Sequence, residues 1–97
     1  MKPVPESIKT LIRAERIVFS KKARSVLFSG ILTLDDLICS ILNGSVVKRE
    51  KDEMKRARFK YTIIGPALSG RLVYSCGKIV KDEREKEYFI ITFHEAR

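Results

Sequence analysis

The stretch E-Y-F-I-I-T-F-H-E-A-R, residues 87–97, reads as a β-strand. Side chains alternate along a strand, so Phe89, Ile91 and Phe93 are expected on one face and Tyr88, Ile90, Thr92 and His94 on the other. The first set suits a core. The second ends in the single histidine of the chain, with Arg97 just beyond. An edge strand this apolar would invite aggregation. The stretch is therefore expected inside a sheet, carrying His94 to the sheet's rim.

Working outward, K-D-E-R-E-K at 81–86 has no apolar residue and reads as a solvated turn. Residues 71–80 form a strand, with Gly77 as an expected interruption, and Tyr74 shares the parity of Leu72, which favours the packed side. Residues 66–70, P-A-L-S-G, are a loop. Residues 56–65 alternate, with Phe59, Tyr61 and Ile63 opposite Arg58, Lys60 and Thr62. Residues 51–55 are a charged turn, and 45–50 a short strand. Before Gly44 the period changes from two to the helical one. Leu34, Leu37, Ile38, Ile41 and Leu42 make an apolar stripe, started by Thr33 in T-L-D-D and ended at Asn43-Gly44. Ser20 caps a basic helix that stops at Gly30. Ile8, Leu11 and Ile12 place a third helix over residues 6–16.

The order is three helices, then four strands joined by short connections, which pair antiparallel. The expected architecture is a single α+β domain over residues 1–97, with the N-terminal helices packed on one face of a four-stranded antiparallel sheet. The other face is then uncovered. With unbroken alternation it carries Arg58, Lys60, Thr62, Thr92 and His94.

Charge points to a partner. Twenty Lys and Arg against 12 Asp and Glu leave a formal charge of +8 on 97 residues, with a pI near 9.8. This favours a polyanion, nucleic acid before an acidic protein. There is no apolar run of about 18 residues to span a membrane, and the start lacks the apolar segment of a signal peptide, so a cytoplasmic protein is expected. In that setting Cys39, on a helix, and Cys76, in a strand, are expected as buried free thiols.

The chemistry is read by subtraction. Gly-rich phosphate loops, zinc-ligand spacings and nucleophile elbows are missing, and the acids gather in turns and at the Thr33 cap. No cofactor or metal is expected. Lys, Arg, Tyr and His on neighbouring strands remain, a set able to cleave RNA without metal. The 2′-hydroxyl needs a base, the phosphate needs cations, and the leaving 5′-oxygen needs an acid.

Two groups of residues carry a family resemblance. One is F-S-K-K-A-R at 19–24, followed by G-I-L-T-L-D-D-L-I-C-S-I-L-N-G-S-V-V-K at 30–48. The other is G-R-L-V-Y-S at 70–75 with Y-F-I-I-T-F-H-E at 88–95. Together, over roughly residues 17–95, they resemble an uncharacterised prokaryotic domain family that is itself similar to the RelE-like toxins, within them the MqsR type. The resemblance implies a RelE-like fold and the toxin of a type II toxin–antitoxin pair. Such a toxin is an mRNA interferase, a metal-independent endoribonuclease acting on free or ribosome-bound mRNA and inhibited by a cognate antitoxin protein. Its implied working residues fall here on Tyr74, on His94 where the MqsR type has Lys, and on Lys48 or Arg49 for an early lysine. Arg71 matches the family's Gly-Arg. Arg49, Arg58, Lys60, Arg71 and Arg97 are the expected phosphate-binding cations, with Tyr74, His94 and Lys48 catalytic. Lys22 stands where the family shows histidine before alanine. If that histidine is catalytic, the alternative is a non-catalytic RNA-binding or partner-binding module.

Overall fold

A computed structural model describes residues 1–52 and 59–96. Among these residues three helices, α1 (Glu6–Arg13), α2 (Lys21–Ser29) and α3 (Leu34–Leu42), accompany six strands. The strands are β1 (Lys2–Pro3), β2 (Ile17–Phe19), β3 (Ser45–Lys51), β4 (Phe59–Pro66), β5 (Leu72–Lys81) and β6 (Lys86–Glu95). They form one sheet in the order β1-β3-β4-β5-β6-β2. The architecture is α+β, but the four-stranded antiparallel sheet is corrected. The expected meander β3 to β6 is there, β1 extends it antiparallel to β3, and β2 adds a parallel strand against β6, pairing Ile17 with Tyr88 and Phe19 with Ile90. The sheet is mixed. Strands of two and three residues are too short to show a period, which is why neither stands out in the sequence.

β2 also explains why α1 ends at Arg13, short of the expected residue 16. The chain turns at Glu15, a non-glycine residue with φ 55°, and Arg16 N–H donates to Leu11 O at 2.9 Å. The turn lays Ile17–Phe19 along β6, so that strand is internal over residues 88–90, as its apolarity requires.

The cap signals fold as expected. Ser20 Oγ accepts from Ala23 N–H, and Gly30 closes α2 at φ 78°. Thr33 and Asp36 form a complete capping box, with Thr33 N–H donating to Asp36 Oδ2 at 3.0 Å and Asp36 N–H to Thr33 Oγ at 3.1 Å. Asp36 Oδ1 also accepts from Leu68 N–H at 3.3 Å, joining α3 to the β4–β5 loop. These bonds, the Thr33 N–H first, hold the Asp36 carboxyl below its ordinary value of 3.8 against the opposing effect of burial. A depressed carboxyl stabilises the fold above its unfolded value and loses that contribution as pH falls through the folded one. Asp36→Ala is therefore expected to cost about 2 kcal/mol in urea unfolding at neutral pH. The gap from wild type should close as the pH is lowered below about 4. A gap that does not change with pH would remove the carboxylate from the account.

One core is shared by helices and sheet. Ile8, Ile12, Leu37 and Ile41 from the helices meet Val46, Ile63, Val73, Tyr88, Ile90 and Phe93 from the strands. Here the expected alternation of β6 is half wrong. Tyr88 and Ile90 point into the core with Phe93, while Phe89 lies across from Lys78 on the other face. The cause is a bulge. Cys76 pairs with Thr92 but Gly77 pairs with Ile90, leaving Ile91 as the extra residue, and its carbonyl accepts from Ser20 Oγ at 2.6 Å. The α2 cap thus holds the bulge, and parity reverses there.

Tyr88 is fully buried, and its ring lies where a Cβ on Gly77 would stand, at 2.7 Å. Burial pushes its hydroxyl well above the ordinary tyrosine value. That hydroxyl has no hydrogen-bond partner among the described residues. A buried donor without a partner costs free energy, so Tyr88→Phe is expected to raise stability by about 1 kcal/mol. Thermal and urea unfolding measure it, and a clear loss of stability would reveal a partner for the hydroxyl.

Candidate functional site

Register assigns the second face of the sheet. Val73, Ser75 and Gly77 of β5 are buried on the helix side, so Leu72, Tyr74, Cys76 and Lys78 face away from the helices. Their partners across the sheet follow: Ile64 and Thr62 on β4, Lys48 on β3, Thr92 and His94 on β6. No described helix lies on this face. The expectation for Tyr74 is corrected here, because Leu72, whose parity it shares, is itself 51% exposed on the open side.

Tyr74 and His94 are direct cross-strand partners. Their rings stack with centroids 4.7 Å apart and planes 18° from parallel. His94 Nδ1 lies 2.9 Å from Glu95 O. A carbonyl only accepts, so Nδ1 carries the hydrogen, and in the neutral ring Nε2 keeps its lone pair. The imidazole is exposed, and its tautomer is set by the backbone beside it.

Lys48 is further off. It pairs with Thr62, one row away from Tyr74 and two strands across, roughly 12 Å at the backbone by strand geometry. Its ammonium lies 3.8 Å from Glu50. Lys60 is on the same face, opposite Glu50. Together they make a cationic region around Cys76, whose thiol is pushed up by burial and drawn partly back by Lys60 and by the hydroxyl of Thr62. The open face therefore has two ends. Ile64, Pro66, Leu72, Tyr74 and His94 form an apolar and aromatic end, and Lys48 and Lys60 a cationic one.

The other expected cations do not join them. Arg49 pairs with Tyr61 on the helix side of β3 and lies over the Phe59 ring at 4.4 Å. Arg71 is structural. Its guanidinium donates to Ile31 O at 3.3 Å and Ser69 Oγ at 3.1 Å and meets Glu95 at 3.4 Å, tying the α2–α3 loop to the sheet. Arg58 and Arg97 lie outside the described residues. Cys39 and Cys76 are both free, and half-buried rather than fully buried. Among the described residues no three His, Cys, Asp or Glu side chains gather as metal ligands would, and no single helix is long and apolar enough to cross a membrane.

Two features escape sequence reading. Lys78 forms an ion pair with Asp52 at 2.9 Å, both largely buried, with its ammonium 6.0 Å above the Phe89 ring. The bulge in β6 hides it, because strict alternation sends Phe89 to the core. The second is a groove of about 650 Å³ past the outer edge of β6, lined by Lys22, Ser25 and Val26 of α2, Leu32 of the next loop, and His94 and Glu95. Lys22 thus shares a groove with His94. The basic residue before Ala23 was the signal available in the sequence.

The chain is an α+β protein with a helix-backed mixed sheet and a tyrosine–histidine stack on the face turned away from the described helices. It has no significant match among protein-family models, curated proteins or solved structures.

Proposed function

We propose that the protein is a metal-independent endoribonuclease that cuts mRNA, the toxin of a toxin–antitoxin pair. The observation that carries the reading is the Tyr74–His94 stack, with an exposed imidazole, on the face turned away from the described helices in a chain of net charge +8. His94 Nε2 takes the proton of a 2′-hydroxyl, and the freed oxygen attacks the neighbouring phosphorus. The P–O5′ bond breaks, and the 5′-oxygen leaves with a proton supplied by the Tyr74 hydroxyl. Lys48 and Lys60 draw the flanking phosphates along the face, and the Lys48–Glu50 contact at 3.8 Å is loose enough for phosphate to displace it. The products are a 2′,3′-cyclic phosphate and a 5′-hydroxyl. Purified protein should yield these ends from single-stranded RNA in excess EDTA. Intact RNA, whether free or ribosome-bound, would overturn the reading.

The second reading is a non-catalytic RNA-binding or partner-binding module. Lys22 favours it, since a lysine replaces the histidine of the resembled family beside His94. It predicts RNA binding that weakens steeply with salt and no turnover.

A further inference from the structure

The groove beside β6 has a geometric relation to the stack that sets what it can hold. Neighbouring strands lie about 4.8 Å apart, and the Tyr74 and His94 centroids are 4.7 Å apart with nearly parallel planes. The ring planes therefore stand across the line joining the two strands. One face of His94 is spent on Tyr74 of β5. The other points away from β5, and His94 shares the lining of the groove with residues of α2. Its lining also includes the hydroxyl of Ser25, the apolar Val26 and Leu32, and the cation of Lys22. Glu95, opposite Val73 on the helix side of the sheet, adds a carboxylate to the same groove from the other side of the strand, held at 3.4 Å by Arg71 and half exposed, with lone pairs to spare. At about 650 Å³ it is within the ~300–1,000 Å³ range of small-ligand sites.

We infer that this groove is a base-binding subsite for single-stranded RNA, taking one unpaired nucleobase that bears an exocyclic amino group. The base extends the Tyr74–His94 stack as a third layer, its phosphate meets Lys22, and its amino group donates to Glu95. A carboxylate only accepts, so adenine, cytosine and guanine satisfy it through their amino groups, whereas uracil offers a single imide N–H between two carbonyls that the carboxylate repels. A duplex does not fit, because both the stacking face and the pairing edge must be free. The inference rests on the RNA reading and adds to it which bases are held next to the reacting imidazole.

The test is binding, read by fluorescence anisotropy of the full chain at one fixed salt concentration. The probes are labelled single-stranded hexamers, one all uridine and others with a single central adenosine or cytidine. Wild type should prefer the amino-bearing probes. Ser25→Trp fills the groove from the exposed side of α2 and should weaken their binding roughly tenfold, the size of one lost base stack. Glu95→Ala should erase the preference from both sides, weakening the amino-bearing probes and strengthening oligouridine, because the carboxylate that accepts from the one and repels the other is gone. If Ser25→Trp does not melt cooperatively by circular dichroism, Glu95→Ala decides alone. RNA bound with equal affinity by wild type and both variants would overturn the subsite, as a groove made for a protein partner would behave, and leave the RNA reading standing. Absence of any RNA binding would overturn both.

Discussion

His94→Ala is expected to lower the rate of RNA cleavage by about 10²–10⁴-fold, the contribution typical of a positioned general base or acid. Three observations single out this residue. It is the one histidine of the chain. Its Nδ1 is committed to Glu95 O at 2.9 Å, which directs the Nε2 lone pair outwards in the neutral ring. Its ring is kept from rotating freely by Tyr74 at 4.7 Å. Binding should suffer less than catalysis, because the cations that attract the backbone, Lys48 and Lys60, stand on other strands. Single-turnover cleavage combined with an anisotropy titration separates the two. Tyr74→Phe keeps the stack and removes only the hydroxyl, so it should slow cleavage while leaving RNA affinity unchanged. Tyr74→Ala removes both and should also free the imidazole. If His94→Ala cuts RNA at the wild-type rate, acid–base chemistry by this pair is excluded. If Tyr74→Phe matches wild type while Tyr74→Ala fails, the tyrosine only positions the imidazole.

Local signals led to the three helices and to β3–β6 but missed β1 and β2, and long-range contacts decided what they could not. Ser20, Gly30, Thr33 and Asp36 punctuate the helices, and each acts within four residues of itself, so each was legible. The antiparallel meander followed from apolar alternation and short connections. The β6 bulge was not legible, because its partner is the Ser20 hydroxyl 71 residues away, and period counting has no access to such a contact. One misplaced residue reversed the faces of Tyr88, Phe89 and Ile90 and concealed the Lys78–Phe89 contact. Thr92 and His94 lie beyond the bulge and keep their expected face, so the convergence of His94 with Tyr74 survived the error. The cations were legible as charge and not as placement. Arg49 and Lys48 are adjacent, hence on opposite faces, and Arg71 is taken up by the α2–α3 loop.

Gly65→Ala is expected to be the most destabilising single methyl group in the protein, costing about 3–5 kcal/mol or abolishing the fold. β4 and the C-terminal end of α3 touch there through backbone alone. A Cβ on Gly65 would stand 2.0 Å from Ser40 O and 2.6 Å from the Gly44 Cα. Neither atom belongs to a flexible side chain that could turn aside. Relief would have to come from moving α3 off the sheet. That movement would pull Leu37 and Ile41 out of the core and break the Ser40 Oγ to Val73 O hydrogen bond at 3.3 Å. Gly44 faces the same contact from the other side, with its own Cβ position 2.5 Å from Ser40 O and 2.6 Å from Ile64 O. Because both glycines relieve one contact, the double alanine variant should cost less than the sum of the singles. Gly30→Ala is the comparison, since nothing lies within 4 Å of its Cβ position and only its φ of 78° resists a side chain. Its cost should be about 1 kcal/mol. Urea midpoints of the three single variants measure this ranking. If Gly65→Ala unfolds no more readily than Gly30→Ala, α3 does not sit against β4 at backbone distance, and the helix-covered side of the sheet has to be drawn again.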